Sequence, residues 1–177
     1  ISRGLVGSEM CIRDSSDPKT LNFILNHPHP PKFIGFICNY EKSRRFVRYE
    51  ILKELINVDK KKVNFTSVLV NPTDEILEKI KLLDFDYYQL YDVSPERTQK
   101  IKLKYKVKII TAITISNKDD VIKYKDYLNV SDIILFDSKG YHKSESFDHN
   151  LLDGVSKKLN KMIAGNIQID DIPNFKD

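Results

Sequence analysis

Four short stretches hold residues whose types and spacing could do chemistry. In "DIILFDSKGYHKSESFDHN", Asp137 closes the apolar run Ile133 to Phe136. Its carboxylate would emerge at the rim of a low-dielectric interior, where a raised pKa suits a group to general-acid work. A carboxylate in that place can equally cap the next turn, and both readings stand on these residues alone. In "MIAGNIQIDDI", the small-residue turn Ala164-Gly165-Asn166 follows a late apolar run. Backbone N–H groups there, backed by a helix dipole, could hold a phosphate, although Ala-Gly turns are common. In "NYEKSRRFVRYE", Lys42, Arg44, Arg45 and Arg48 follow an early apolar run. A planar guanidinium suits a carboxylate ligand, whereas a solvated basic loop is the plainer reading. Gln89 lies in "YYQLYDVSPE", within a fourth apolar run that a turn ends.

Metal chemistry finds no support in these residues. His27 and His29 sit in the turn "NHPHPP", His142 and His149 follow Asp137, and neither Cys11 nor Cys38 has ligand spacing to them. Tyrosine and phenylalanine fall mostly on strands or helix stripes, as core residues do, and form no stacking platform.

Elements that alternate in type must position these groups. "PKFIGFI" (31–37), "VNFTSVLV" (63–70), "YYQLY" (87–91), "VKIITAITI" (107–115), "SDIILFD" (131–137) and "KMIAGN" (161–166) read as strands. Between them come helical patterns over 45–58 and 74–83, one begun by Ser94-Pro95-Glu96, one at 118–128, and one over 147–159. Ser16-Asp17-Pro18 is a further helix start. Nearly continuous apolar strands alternating with helices predict a parallel sheet with βαβ crossovers. The absence of a Gly-rich dinucleotide fingerprint favours a barrel over an open doubly wound sheet. So do the polar residues at strand C-terminal ends: Asn39, Arg45, Asn71, Gln89, Ser116, Asp137 and Asn166.

Composition narrows the class further. The chain has 177 residues, 41% hydrophobic and 31% charged, with 6 Gly and 7 Pro, the balance of one folded domain. A net charge of +4 comes from 29 basic and 25 acidic residues spread along the chain, which describes a solvated surface rather than a nucleic-acid interface. No apolar run approaches the ~18 residues of a membrane span. Two distant cysteines in a Lys-rich chain point to a reducing compartment, and the first residues lack signal-peptide pattern, so a cytoplasmic protein is expected.

The same stretches, in order, resemble phosphoribosylanthranilate isomerase, a (β/α)8 family of tryptophan biosynthesis. The family segments G-F-x-F…K-S-P-R-x-V, V-x-V-F-V-N-P, V-Q-L-H-G-x-E-S-P-E, L-L-L-D-S…T-F-D-W and L-A-G-G-L stand here as "IGFICNYEKSRRFV", "FTSVLVNPTDEIL", "YYQLYDVSPE", "IILFDS…SFDHN" and "MIAGNI". The resemblance runs from about Ser16 to the C-terminus. It implies a cofactor-free Amadori rearrangement of a phosphoribosyl aminobenzoate to an open-chain ketose phosphate. Asp137 would be the general acid, Arg45 would hold the anthranilate carboxylate, Gly165 and Asn166 would bind the phosphate, and Gln89 would contribute to substrate binding. The implied partner is a phosphorylated small molecule, with no nucleic acid or membrane, and the full-length protein is expected to be a monomer. Tyr91 replaces the His of Q-L-H-G, and Asn166 the second Gly of A-G-G. Two other readings stay open: another phosphate-binding barrel, such as an indole-glycerol-phosphate synthase relative or sugar-phosphate epimerase, and a non-catalytic flavodoxin-like open sheet.

The family's base is a cysteine in K-I-C-G-[IL] on strand 1. That pattern set before "SDPKT" would place the cysteine at position 13, which is Arg13, and Cys11 is two residues early. Two residues along a strand displace a thiol by about 6–7 Å, too far when an error of ~1 Å costs about 10²-fold. "LVGSEMCIRDS" also resembles translated transposon-adapter text, in which GAG ATG TGT ATA AGA GAC AG encodes Glu9 to Ser15. The expected architecture is therefore a non-native leader over 1–15 and an incomplete (β/α)8 TIM barrel over 16–177. Strand 1 would be damaged, and strand 8 and the final helix missing, since eight strands need about 200 residues or more.

Overall fold

The computed structural model describes residues 3–6, 9–12, 17–138 and 148–165, with side chains from Asp17 onward. Its strands are β1 (Arg3–Val6), β2 (Glu9–Ile12), β3 (Phe33–Ile37), β4 (Asn64–Val70), β5 (Tyr87–Tyr91), β6 (Lys108–Ile115), β7 (Ile133–Ser138) and β8 (Lys161–Ala164). The helices are α1 (Pro18–Leu25), α2 (Tyr49–Ile56), α3 (Asp74–Ile80), α4 (Pro95–Tyr105) and α5 (Lys118–Ile122).

Local chemistry sets the helix starts. Asp17 accepts from Thr20 N at 2.9 Å with Pro18 in the first turn, and Ser94 accepts from Arg97 N at 3.3 Å ahead of Pro95. Thr73 caps α3, and Asn117 with Asp120 forms a capping box on α5. Several expected helices are shorter than their apolar patterns: that over 74–83 ends at Ile80, and that at 118–128 divides into α5 and a 3₁₀ stretch, Lys123–Tyr127. Residues 38–47 fold back on β3, through an Ile37–Phe46 bridge and a 3.0 Å bond from Val47 N to Ile37 O, so α2 begins only at Tyr49. The helix expected over 147–159 is a single 3₁₀ turn, His149–Leu152, followed by Gly154 at φ +90°. That left-handed conformation suits glycine and ends the helical run.

The strands form one closed ring in chain order, β1 to β8, so the open flavodoxin-like sheet is excluded. Strands β2 through β8 pair in parallel with their neighbours. The expectation of an open, incomplete ring is corrected in one respect. β1 turns back antiparallel on β2 and meets β8 at the single pair Leu5 and Ile163, closing the gap. Unpaired N–H and C=O groups on a sheet edge are a template for any available strand, and β1 supplies one here.

Side chains alternate between two faces. Phe33, Val68, Tyr91, Ile110, Leu135 and Met162 fill the ring's interior, where Phe33 and Tyr87 meet edge to face at 5.3 Å. Ile34, Phe36, Phe65 and Leu69 face outward against Leu52, Leu55 and Leu77 of the helices. Burial on both faces explains why the strands read as unbroken apolar runs. At the N-terminal end of the ring, Asp86 and Asp132 play matching parts. Each carboxylate accepts a 2.7 Å bond from the backbone of the preceding strand, at Phe65 and Ile109, and pairs with Lys60 and Lys102 respectively. Burial pulls the Lys60 ammonium down, but its bonds to Asp84 and Asp86 outweigh this and hold it above the ordinary lysine range.

Candidate active site

Of the sequence-predicted residues, Asp137, Gln89 and Gly165 lie on or just after strands toward the C-terminal end of the ring, and Arg45 lies on a loop there. Asp137 is the next-to-last residue of β7, half-buried, beside Thr114 of β6 and Ala164 of β8. Alternation with Ile133 and Leu135 turns it into the ring's mouth. Tyr91, the last residue of β5, donates its hydroxyl to Asp137 Oδ2 at 2.6 Å. Gln89, two residues earlier on the same face, donates from Nε2 to the Tyr91 oxygen at 3.0 Å. Gln89 is 1% exposed, so it meets the mouth only through Tyr91. Tyr91 is the site residue that the sequence reading noted only as a departure from a pattern. The available signal was its place at a strand's end, two residues beyond an inward polar residue.

The turns at this rim are tightly held. Asn71 and Asp92, immediately after β4 and β5, adopt φ +39° and +55°, and Asn71 N donates to Tyr91 O at 2.9 Å. Short polar residues tolerate this region better than others. Asn39 exchanges two 2.8 Å bonds with the backbone of Val70, joining the end of β3 to the end of β4. This staple and the fold-back of 38–47 bring Arg45, half-buried, next to Phe46 at the end of β3. Its backbone N–H is fixed by Ser43 Oγ at 3.2 Å.

Gly165 follows β8 with φ +103° and lies against Ser138, the last residue of β7. A Cβ there would stand 2.5 Å from Ser138 Cβ and 2.9 Å from its backbone N. Glycine is therefore needed for both conformation and space, and the bare backbone can approach a ligand closely. Asn166 and the loop 139–147 lie outside the described residues.

Neither cysteine is placed as a base at this mouth. Cys11 pairs through its backbone with Phe33, the first residue of β3, at the opposite end of the strands from Asp137. Cys38 packs against the outer core, its thiol donating to Phe36 O at 3.1 Å, and burial pushes that thiol far up from the ordinary range. A groove of about 210 Å³ between α1 and α2, lined by Leu21, Leu25, Glu54 and Val58 among others, lies outside the ring and contains none of the site residues.

The comparisons with known proteins agree with this arrangement. Residues 17–177 match the family model described as N-(5'phosphoribosyl)anthranilate (PRA) isomerase. The N-(5'-phosphoribosyl)anthranilate isomerase of Rhizobium rhizogenes is 31% identical over 147 residues, which cover 78% of this chain and 66% of that protein. The isomerase of Staphylococcus haemolyticus is 30% identical over 149 residues, covering 81% and 71%. Among solved structures, the isomerase from Pyrococcus furiosus superposes with TM-score 0.72 at 16% identity, over 93% of this chain and 80% of that one. The Thermotoga maritima structure gives 0.68 at 22%, over 80% and 68%. The chain spans just under two thirds of the length of its Rhizobium relatives. With the family model matched along nearly all of it, the chain belongs to the N-(5'-phosphoribosyl)anthranilate isomerase family.

Proposed function

We propose that the protein from which this chain comes catalyses the Amadori rearrangement of N-(5-phosphoribosyl)anthranilate to 1-(2-carboxyphenylamino)-1-deoxyribulose 5-phosphate, a step of tryptophan biosynthesis. The observation that carries the reading is Asp137, inward-facing at the C-terminal mouth of a ring whose sequence matches the isomerase family. Protonated Asp137 delivers its proton to the ribose ring oxygen as the C1–O bond opens. A base on the first parallel strand then takes the C2 proton, and the resulting enol tautomerises to the ketose. Arg45 holds the anthranilate carboxylate, and the Gly165-Asn166 turn holds the phosphate. Tethering both ends of the substrate fixes the sugar between acid and base. The product is a phosphorylated small molecule, and no metal or organic cofactor takes part in these steps.

The chain in its present sequence is a damaged copy. Position 13 is Arg13 where the family pattern puts the base cysteine, and β1 closes the ring antiparallel to both β2 and β8. We place residues 1–15 as a leader foreign to the domain, in keeping with a family match that begins at residue 17. The complete protein would act as a cytoplasmic monomer. A Thermotoga maritima relative is described as dimeric, so sedimentation of the complete protein decides this point. Among the described residues no helix is long and apolar enough to cross a membrane. Loss of anthranilate-adduct fluorescence tests the activity. The chain as written should turn over substrate at background rate, and robust turnover would contradict the assignment of damage.

A further inference from the structure

We infer that Thr114, beside Asp137 at the mouth of the ring, is a substrate-contacting residue whose hydroxyl holds the sugar oxygen that Asp137 protonates. The inference rests on the isomerase reading for where the substrate lies, and adds a residue to it. Thr114 is the next-to-last residue of β6. On that strand Ile110 and Ala112 line the ring's interior, whereas Ile113 and Ile115 pack in the outer core. Alternation therefore turns Thr114 inward. Register pairs it with Asp137 of β7. Neighbouring strands lie about 4.8 Å apart, so an atom held by the carboxyl comes within reach of the hydroxyl.

The hydroxyl is placed and held for such a contact. Thr114 is half-buried, and its oxygen has no hydrogen-bond partner among the described residues. Thr111, on the same strand, instead engages its hydroxyl with Ser131. Ile113 and Ile115, both buried, anchor the backbone on either side, and branching at Cβ restricts the side chain. The inward neighbours are short: Ala112 precedes Thr114 on this face of β6, and Ala164 of β8 pairs with Asp137. Neither has a side-chain polar atom to occupy the hydroxyl.

The chemistry of ring opening gives the hydroxyl a task. As the C1–O bond breaks, its electron pair stays on the oxygen, and the proton from Asp137 makes that oxygen the 4-hydroxyl of the open chain. Thr114 keeps its own proton and donates it in a hydrogen bond to the same oxygen. Electron density grows there as the bond breaks, so the contact strengthens along the reaction and lowers the barrier. The contact persists in the ketose product, where it can be measured without turnover.

The test is binding of the product, 1-(2-carboxyphenylamino)-1-deoxyribulose 5-phosphate, and of its 4-deoxy analogue to the full 177-residue chain, followed by aminobenzoate fluorescence. Thr114→Val removes the hydroxyl at nearly constant shape. It should weaken product binding by about 3- to 10-fold, the worth of one hydrogen bond, and leave binding of the 4-deoxy compound unchanged. Thr114→Ser should retain most of the affinity for the product. Thr114→Ala makes the same comparison if the valine variant does not fold. Product binding that is as tight without the hydroxyl as with it, or an equal loss for both ligands, overturns the inference and leaves the isomerase reading in place. An unaltered chain that does not bind the product removes that reading's placement of the substrate, and the inference with it.

Discussion

Asn39 and Val70 exchange two hydrogen bonds of 2.8 Å, side-chain amide to backbone, across 31 residues of sequence. The pair locks the C-terminal ends of β3 and β4 together and sets where the loop bearing Arg45 begins. Asn39→Ala leaves both backbone groups of Val70 without these partners, which should cost about 1–3 kcal/mol. Asn39→Asp keeps the acceptor for Val70 N but cannot donate to Val70 O, so its loss should be intermediate. Urea unfolding of the three proteins checks the ranking.

Gly165 and Ser138 form a second close contact at the rim. Gly165→Ala meets both a positive φ and the Ser138 side chain, and should destabilise by about 1–3 kcal/mol from the backbone alone, with steric repulsion added. Ser138→Gly in that background removes the colliding side-chain atoms but not the backbone N at 2.9 Å, and should recover only part of the steric loss. Thermal melts of the single and double variants measure the coupling.

How much of this was legible beforehand depended on whether a feature is local. The six strands over 33–164 read directly from apolar runs, because burial on both ring faces leaves no competing signal in them. The helix starts at Asp17 and Ser94 depend on neighbouring residues and are equally plain, whereas the caps at Thr73 and Asn117 emerge only in the structure. The helical pattern over 147–159 misleads, since Leu151, Leu152 and Val155 are spaced for a helix while Gly154 takes φ +90°. The fold-back that places Arg45 depends on Asn39 reaching Val70, and no window of sequence contains both. Asp137 could be singled out as a candidate from its strand end alone. Its contact with Tyr91 spans 46 residues and needs the ring to close.

Glu78 carries a pH-dependent part of the stability. Bonds from Lys104 and Tyr105, with Lys81 beside them, hold its carboxyl down at about 2, below the ordinary 4.5. A carboxyl lowered in the folded state stabilises above its unfolded pKa, and the contribution disappears as pH falls through the folded one. The difference in urea midpoint between the parent chain and Glu78→Gln should therefore be small and constant near neutral pH. It should shrink from about 4.5 downward and vanish near 2. Because Glu78 is exposed, added salt should also shrink it.

Cys38 should behave as a structural thiol. Burial raises its pKa and its Sγ is engaged with Phe36 O, so thiolate is scarce near neutral pH. Disulfide-exchange reagents should label it slowly in the folded chain and rapidly in urea. Cys38→Ala should leave any isomerase activity of the repaired protein unchanged.

Turnover after repair bears most directly on the assignment of the mouth around Asp137 as an isomerase site. Residues 11–14 replaced by Lys-Ile-Cys-Gly, together with a parallel eighth strand taken from a family member, should restore loss of anthranilate-adduct fluorescence. Asp137→Asn in that protein should then lower kcat by about 10²–10⁴-fold with an unchanged melting temperature. A repaired, folded protein that shows no turnover, or one whose rate is indifferent to Asp137→Asn, would contradict the assignment.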